Sequence, residues 1–302
     1  MKKFSHIVTE DDAREKLPVR RLIRRYFNFS SRLRGKIKRE NLVFINGKPV
    51  AGWIVPKQGD VLEIHLPKER SFFEPEDVPI DVIFEDEDLL VINKAPGIVV
   101  HPTYGYKEHT VANAVTKYML DTNQEFKIRF INRIDMDTSG LLLLGKNSHA
   151  QDSYMKQQKS GDVKKIYIAL VKGIVKSDAG IIDAPIGKPD ITKAQRGVTP
   201  EGKPSITRYK VLERFDYGYT LLEAELQTGR THQIRVHLDY IGHTILGDEF
   251  YGDKNQDLIS RQALHAAYLS FKHPTDEKIL ELRAPLPDDM KKLTEKIRKM
   301  NT

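Results

Sequence analysis

Residues 132–144 read Asn132-Arg133-Ile134-Asp135-Met136-Asp137-Thr138-Ser139-Gly140-Leu141-Leu142-Leu143-Leu144. The four leucines, flanked by Gly140 and Gly145, form a short apolar run that reads as a strand buried on both faces, although periodicity alone does not separate it from buried helix. The residues ahead of it place two carboxylates, an arginine and two hydroxyls in a loop, and loops at the ends of buried strands are where rigid scaffolds hold reactive groups. Spacing leaves three readings of Asp135 and Asp137 open. They form an Asx turn or cap with Thr138 and Ser139, or one of them does chemistry, or they belong to an Asp-x-Asp site for a hard cation, for which two carboxylates are too few to make a cage.

Outward from this run, the pattern is mostly strand. Asp81 to Phe84 and Leu89 to Asn93 are strands joined by the acidic turn Glu85-Asp86-Glu87-Asp88, and Thr110 starts a helix that runs to about Leu120. Ile166, Ile168 and Leu170 alternate with Tyr167, Ala169 and Val171, and Leu222, Ala224 and Leu226 alternate with Leu221, Glu223 and Glu225. Helices fall between strands in no regular βαβ rhythm, which predicts an α+β fold with a mixed, largely antiparallel sheet. A second polar constellation, Gln227-Thr228-Gly229-Arg230-Thr231-His232-Gln233-Ile234-Arg235-Val236-His237, reads as a turn and then a helix. Thr231 is its expected cap, Ile234, Leu238 and Ile241 its buried stripe, and Gly242 its stop. Arg235 then leaves the first turn, where the local alternative is an ion pair with Asp239 worth a few tenths of a kcal/mol. His232 and His237 are five apart and diverge on a helix, so satisfied polar roles suit both better than a shared metal. Tyr167 alone reads as a core-edge aromatic.

The chain has 302 residues, 39% hydrophobic and 30% charged, with a net charge of +7. That composition supports a sizeable core. The absence of cysteine excludes disulfides, thiolate metal sites and a cysteine nucleophile. No apolar run is long enough to span a bilayer, and the start MKKFSHIVTEDD lacks a signal-peptide core, so a soluble cytoplasmic protein is expected. Residues 1–70 hold 17 Lys and Arg against 8 Asp and Glu, whereas the remaining 232 residues hold 32 against 34. A basic module on a near-neutral body suits a polyanion partner, because Lys and Arg release counterions from phosphates. In that module Pro18 precedes a helix with Val19, Leu22, Ile23, Tyr26 and Phe27 on one side and Arg20, Arg21, Arg24 and Arg25 on the others. A second helix follows Ser30 or Ser31 and carries Arg32, Arg34, Lys36, Lys38 and Arg39. Leu42 to Ile45 runs into the hairpin signal Asn46-Gly47, and Val61 to Ile64 is a further strand. The aperiodic, proline-containing residues 71–79 predict a linker between a small domain, 1–70, and a larger one, 80–302.

The loop around Asp135 resembles the signature of the RluA branch of RNA pseudouridine synthases, His-Arg-Leu-Asp-x-x-Thr-Ser-Gly-Leu. Further blocks resemble the family in the right order: Val91-Ile92-Asn93-Lys94 with Gly97 and His101-Pro102, Lys165-Ile166-Tyr167 through Gly173, Gln227 to His237, Gly242-His243 with Leu246-Gly247-Asp248 and Tyr251-Gly252, and Leu264-His265-Ala266 with His273-Pro274. The first 70 residues are similar, more loosely, to the small RNA-binding domain of ribosomal small-subunit protein four. The resemblance implies isomerisation of uridine in ribosomal or transfer RNA, with Asp135 as nucleophile, Arg235 as its partner and Tyr167 packed on the target base and implicated in proton removal. It also implies that Arg133 fills the space left by the flipped base. Asn132, Thr138, Arg230 and His232 in the same blocks, and Arg21, Arg25, Arg34 and Lys38 in the basic module, are expected to contact RNA. Neither cofactor nor metal is implied, and a monomer with no membrane or DNA partner is expected. Asn132 replaces the family's histidine and Ile134 its leucine, Lys94-Ala95-Pro96-Gly97 alters the usual proline and alanine order, and Thr244 stands where proline is common. A non-catalytic RNA- or ribosome-associated protein is the rival reading, and metal-dependent glycosyl transfer through Asp135 and Asp137 a third.

Overall fold

A computed structural model describes residues 2–103, 105–190, 192, 195–252 and 258–300. The basic module comprises β1 (Lys3–Ile7), α1 (Glu10–Arg14), α2 (Val19–Tyr26), α3 (Ser31–Arg39), β2 (Val43–Ile45), β3 (Lys48–Pro49) and β4 (Val61–His65). Its antiparallel sheet has the order β1-β4-β2-β3. Leu22 and Ile23 of α2 and Leu33 and Ile37 of α3 pack on Leu62 and Ile64 of β4, which leaves the arginines of both helices outside this core. Asn46 and Gly47 both have positive φ, 49° and 77°, the backbone that a two-residue type I′ hairpin requires. Pro18 stands just ahead of α2 as its N-cap, and Ser30 caps α3 through a bond from the Leu33 amide.

The body contains β5 (Asp81–Glu85), β6 (Leu89–Lys94), α4 (Val111–Asp121), β7 (Arg129–Phe130), β8 (Ser139–Gly145), α5 (Ser148–Ser160), β9 (Lys164–Lys172), β10 (Ala179–Asp183), β11 (Ile186–Gly187) and β12 (Gly197–Val198). There follow β13 (Ile206–Phe215), β14 (Tyr219–Leu226), α6 (Gln233–Tyr240), β15 (Leu264–Lys272), β16 (Ile279–Arg283) and α7 (Asp288–Met300). Ten strands form one sheet whose main path is β10-β13-β14-β9-β15-β8-β6-β5. Among the described residues every pairing in it is antiparallel except β8 with β15, so the fold is α+β with a mixed, largely antiparallel sheet. Alternation along the inner strands feeds two cores. Leu90, Ile92, Leu142 and Leu144 face α4, α6 and α7, while Leu89, Val91, Leu141 and Leu143 face α5. The leucine run is therefore a central strand covered on both sides.

The β8/β15 junction fixes where the Asp135 loop enters the sheet. There Gly140 pairs with Ala266 at φ +108°, and a Cβ on it would lie 2.3 Å from the Ala266 carbonyl oxygen, so only glycine fits. Residues 71–79 carry no helix or strand and are laid on the body: Ser71 Oγ accepts from the Ile128 amide, and the Glu74 carbonyl accepts from Asn113. The small module also touches the body directly, with Lys2 Nζ bonded to Glu87 and Asp88 and with Phe4 and Phe29 edge-on to His149. Among the described residues no helix is long and apolar enough to cross a membrane.

Candidate active site

The loop that carries Asp135 is held from several directions. Lys94, 2% exposed at the end of β6, donates its three ammonium protons to the carbonyls of Ala95 (2.7 Å), Ile98 (3.0 Å) and Met136 (2.7 Å). Burial pushes its pKa down to about 7, while Asp137 and Asp135 pull the other way. The Asn132 amide donates to the Leu141 carbonyl and accepts from the Leu143 amide, so the residue standing for the family histidine is engaged at both ends by β8. The Thr138 amide closes a turn on the Asp135 carbonyl, and the Thr138 hydroxyl, 1% exposed, accepts from Gln262. Arg261 donates to the Asp137 carbonyl. Asp137 thus meets the scaffold through its backbone, and the Asp135 side chain is left to reach outward from the loop.

It reaches α6. Arg235 is 7% exposed and donates Nη1 to Asp135 Oδ2 at 2.9 Å, while Nε and Nη2 form a fork on Asp248 at 2.7 and 2.8 Å. Burial opposes the guanidinium charge, but the bonds and charge of Asp248, followed by those of Asp135, outweigh it and hold the Arg235 pKa above its ordinary value. The rings of Phe250 and Tyr251 lie 5.7 and 5.1 Å from the same guanidinium. The expected local pair with Asp239 does not form; Asp239 instead accepts from the Thr244 hydroxyl. Nor does Thr231 cap α6. His232 occupies the N-cap position in the left-handed region, φ 57°, with no side-chain cap bond, and Gln233 organises the turn by accepting from Thr228 Oγ1 and the Arg230 amide.

These elements border a cleft of about 240 Å³ lined by Arg133, Asp135, Lys165, Tyr167 and Arg230, among others. Tyr167, on β9, is 8% exposed, and burial, followed by the nearby Asp135 charge, raises its phenol above the usual range, so it carries its proton at neutral pH. His232 lies 3.9 Å from Asp135 and bonds Tyr251 through Nδ1; burial lowers its pKa. His237 turns elsewhere, to Thr207 and the Ala184 carbonyl, so the two histidines diverge as their spacing predicts. Arg133 is exposed and donates to Thr231 Oγ1 at 2.6 Å, and Arg230 donates to the Pro204 carbonyl. Asn132, Thr138 and His232 also line the cleft, whereas Arg21, Arg25, Arg34 and Lys38 do not. Arg21 and Lys38 are exposed on α2 and α3. Arg25 is paired with Glu15 at 3.0 Å, and Arg34 is bonded to the Phe29 carbonyl and Ser31. Lys94, Asp248 and Lys165 were not singled out by spacing. Their only signal is that they stand inside the family-like blocks.

The RNA pseudouridylate synthase family model matches residues 88–240, which include Asp135, Tyr167 and Arg235. The uncharacterized RNA pseudouridine synthase YlyB of Bacillus subtilis (strain 168) is 40% identical over 267 residues, covering 86% of this chain and 87% of that protein. Ribosomal large subunit pseudouridine synthase D of Nitrosomonas europaea is 42% identical over 233 residues, 74% of this chain and 67% of that protein. Among solved structures, human RNA pseudouridylate synthase domain containing 1 superposes with a TM-score of 0.58 at 26% identity, covering 75% of this chain and 98% of that one. With a family model over half its length and relatives near 40% identity along most of the rest, the chain belongs to the RNA pseudouridylate synthase family and is an isomerase.

Proposed function

We propose that this protein converts uridine to pseudouridine in large-subunit ribosomal RNA, as a member of the RluA branch, with Asp135 as the nucleophile. The observation that carries the reading is the Asp135–Arg235–Asp248 chain at the wall of the cleft that also holds Tyr167. One guanidinium shared by two carboxylates orients Asp135 and balances its charge without covering its second oxygen, which stays available to the ribose carbon. A base stacked in a duplex cannot reach a cleft this recessed, so the target uridine leaves its stack. Arg133, exposed beside Thr231, is positioned to occupy the gap. In this reading Tyr167, on the wall of the same cleft, packs against the inserted ring.

In this reading residues 1–70 are an RNA-docking unit similar to the small domain of ribosomal small-subunit protein four. Residues 80–302 are the catalytic unit, joined by 71–79, and the protein works as a cytoplasmic monomer. The surplus of nine positive charges in 1–70 and the exposure of Arg21 and Lys38 support the docking role. The test is a map of pseudouridine in large-subunit ribosomal and transfer RNA from a strain lacking the gene, complemented with the parent protein or with Asp135→Asn. One or more large-subunit positions should return only with the parent. Return in transfer RNA alone would overturn the substrate, and return with Asp135→Asn would overturn the nucleophile.

A further inference from the structure

Lys165 has no place in the scheme above, yet it is buried in the same cleft. It is 8% exposed, two residues before Tyr167 on β9, and so projects from the same face of the strand. Among the described residues no carboxylate pairs with it and no hydrogen-bond acceptor engages it. Arg133, Arg230 and Arg235 line the cleft with it, and the cleft's single carboxylate, Asp135, already meets Arg235. A second donor is near it. Gln158 lines the same cleft, and both Gln158 Nε2 and Lys165 Nζ lie beside Gly229, 3.6 and 3.9 Å from where its Cβ would stand. Burial lowers the Lys165 pKa, and no other cause acts on it. The Lys165 ammonium therefore faces the cleft with no protein partner, where an entering anion or carbonyl oxygen would meet it.

The chemistry of the reaction supplies such an anion. Asp135 attacks ribose C1′ through its carboxylate oxygen, and the bond from C1′ to uracil N1 breaks with its electron pair going to the ring, whose negative charge spreads over N1 and the carbonyl oxygens. The ring then turns and C5 bonds to C1′. The bond from C1′ to the Asp135 oxygen breaks with its pair returning to the carboxylate, and the C5 proton leaves to that freed carboxylate and from there to water. We propose that Lys165, with Gln158, binds a carbonyl oxygen of the uracil ring and stabilises the negative charge the ring carries while it is detached from ribose. A donor preorganised where charge develops acts on the barrier rather than on ground-state binding. This rests on the reading of the cleft as the uridine site.

The test uses the full-length protein and a transcript spanning the mapped uridine, made with either uridine or 5-fluorouridine. Fluorine makes uracil N1 more acidic and so a better leaving group, and cleavage of the C1′–N1 bond is followed in single turnovers. Lys165→Met should slow cleavage of the uridine transcript by about 10²-fold, the usual loss for one such donor. The loss on the fluorouridine transcript should be at least about tenfold smaller, because less stabilisation is needed, and Lys165→Arg should fall between. Lys165→Met should also melt no lower than the parent, since it removes a buried unpaired charge. Equal losses on the two transcripts, an unchanged rate, or a lowered melting temperature would each overturn the proposal. Asp135→Asn should be inactive on both transcripts. If it is active, the nucleophile assignment fails while the Lys165 comparison still stands.

Discussion

Replacing Arg235 with Met removes one cation from between two carboxylates, and the structure indicates which loss will dominate. Asp248 is 1% exposed and receives two of the three guanidinium bonds, at 2.7 and 2.8 Å. Asp135 is less buried and receives one. The larger cost is therefore an uncompensated charge at Asp248, about 3–5 kcal/mol for breaking a buried pair on one side. Loss of the ring contacts to Phe250 and Tyr251 adds to it. The control is Asp239→Ala, which loses one hydrogen bond from Thr244, about 1 kcal/mol. Urea unfolding followed by far-UV circular dichroism reads both, because the only tryptophan, Trp53, lies in the basic module and would report that unit instead. Adding Asp248→Asn to Arg235→Met should recover much of the stability, since the stranded charge is gone, but should recover no turnover, since Asp135 still lacks its partner. If Arg235→Met shifts stability no more than Asp239→Ala, the shared guanidinium is not what holds the site together.

Burial pushes His265 down to about 4, where it sits between Ser139 and the Ala284 carbonyl. The unfolded chain takes up its proton near pH 6.5 and the folded one does not until about pH 4, so this group alone should lower stability by about 3 kcal/mol as pH falls across that window. His265→Gln should lessen the fall in stability over that window by about this amount; the same slope in both proteins would refute it. Arg21→Glu and Lys38→Glu should each flatten the salt dependence of RNA binding by about one unit. Arg25→Glu, whose parent charge already meets Glu15, should do less, and equal slopes for all three would remove the docking role. Gly140→Ala should not accumulate as folded protein, given the 2.3 Å approach to Ala266, and soluble protein melting like the parent would contradict that geometry.

What the sequence made legible follows the range of the forces involved. The leucine run, the Thr110 cap with its reciprocal bond to Asn113 and the Asn46-Gly47 hairpin are set by neighbours a few residues away, and each was readable. The cap of α6 was misread because local hydroxyl chemistry at Thr231 loses to two bonds made by Gln233 and to the pull of Arg133. The Arg235 partner was invisible to spacing for the same reason: Asp239 is four residues away and loses to Asp135, which is 100 residues away, and to Asp248. Strand β1 went unnoticed since its alternation leaves even its inner residues only half-buried. Burial of Lys94 and Lys165 is a property of the assembled sheet and loop. The roles at the site came from resemblance to a family; the distances that make those roles physical came from the fold.

Release of the C5 proton as tritium from RNA labelled at uracil C5 tests the central claim most directly, because that proton leaves only if the ring has been detached, turned and rejoined. With purified protein in single turnovers, Asp135→Asn should bind RNA as tightly as the parent and release no tritium, while Asp137→Asn, whose parent meets the scaffold through its carbonyl, should retain much of the parent's release. Tritium release by Asp135→Asn near the parent rate would contradict the assignment of Asp135 as the nucleophile.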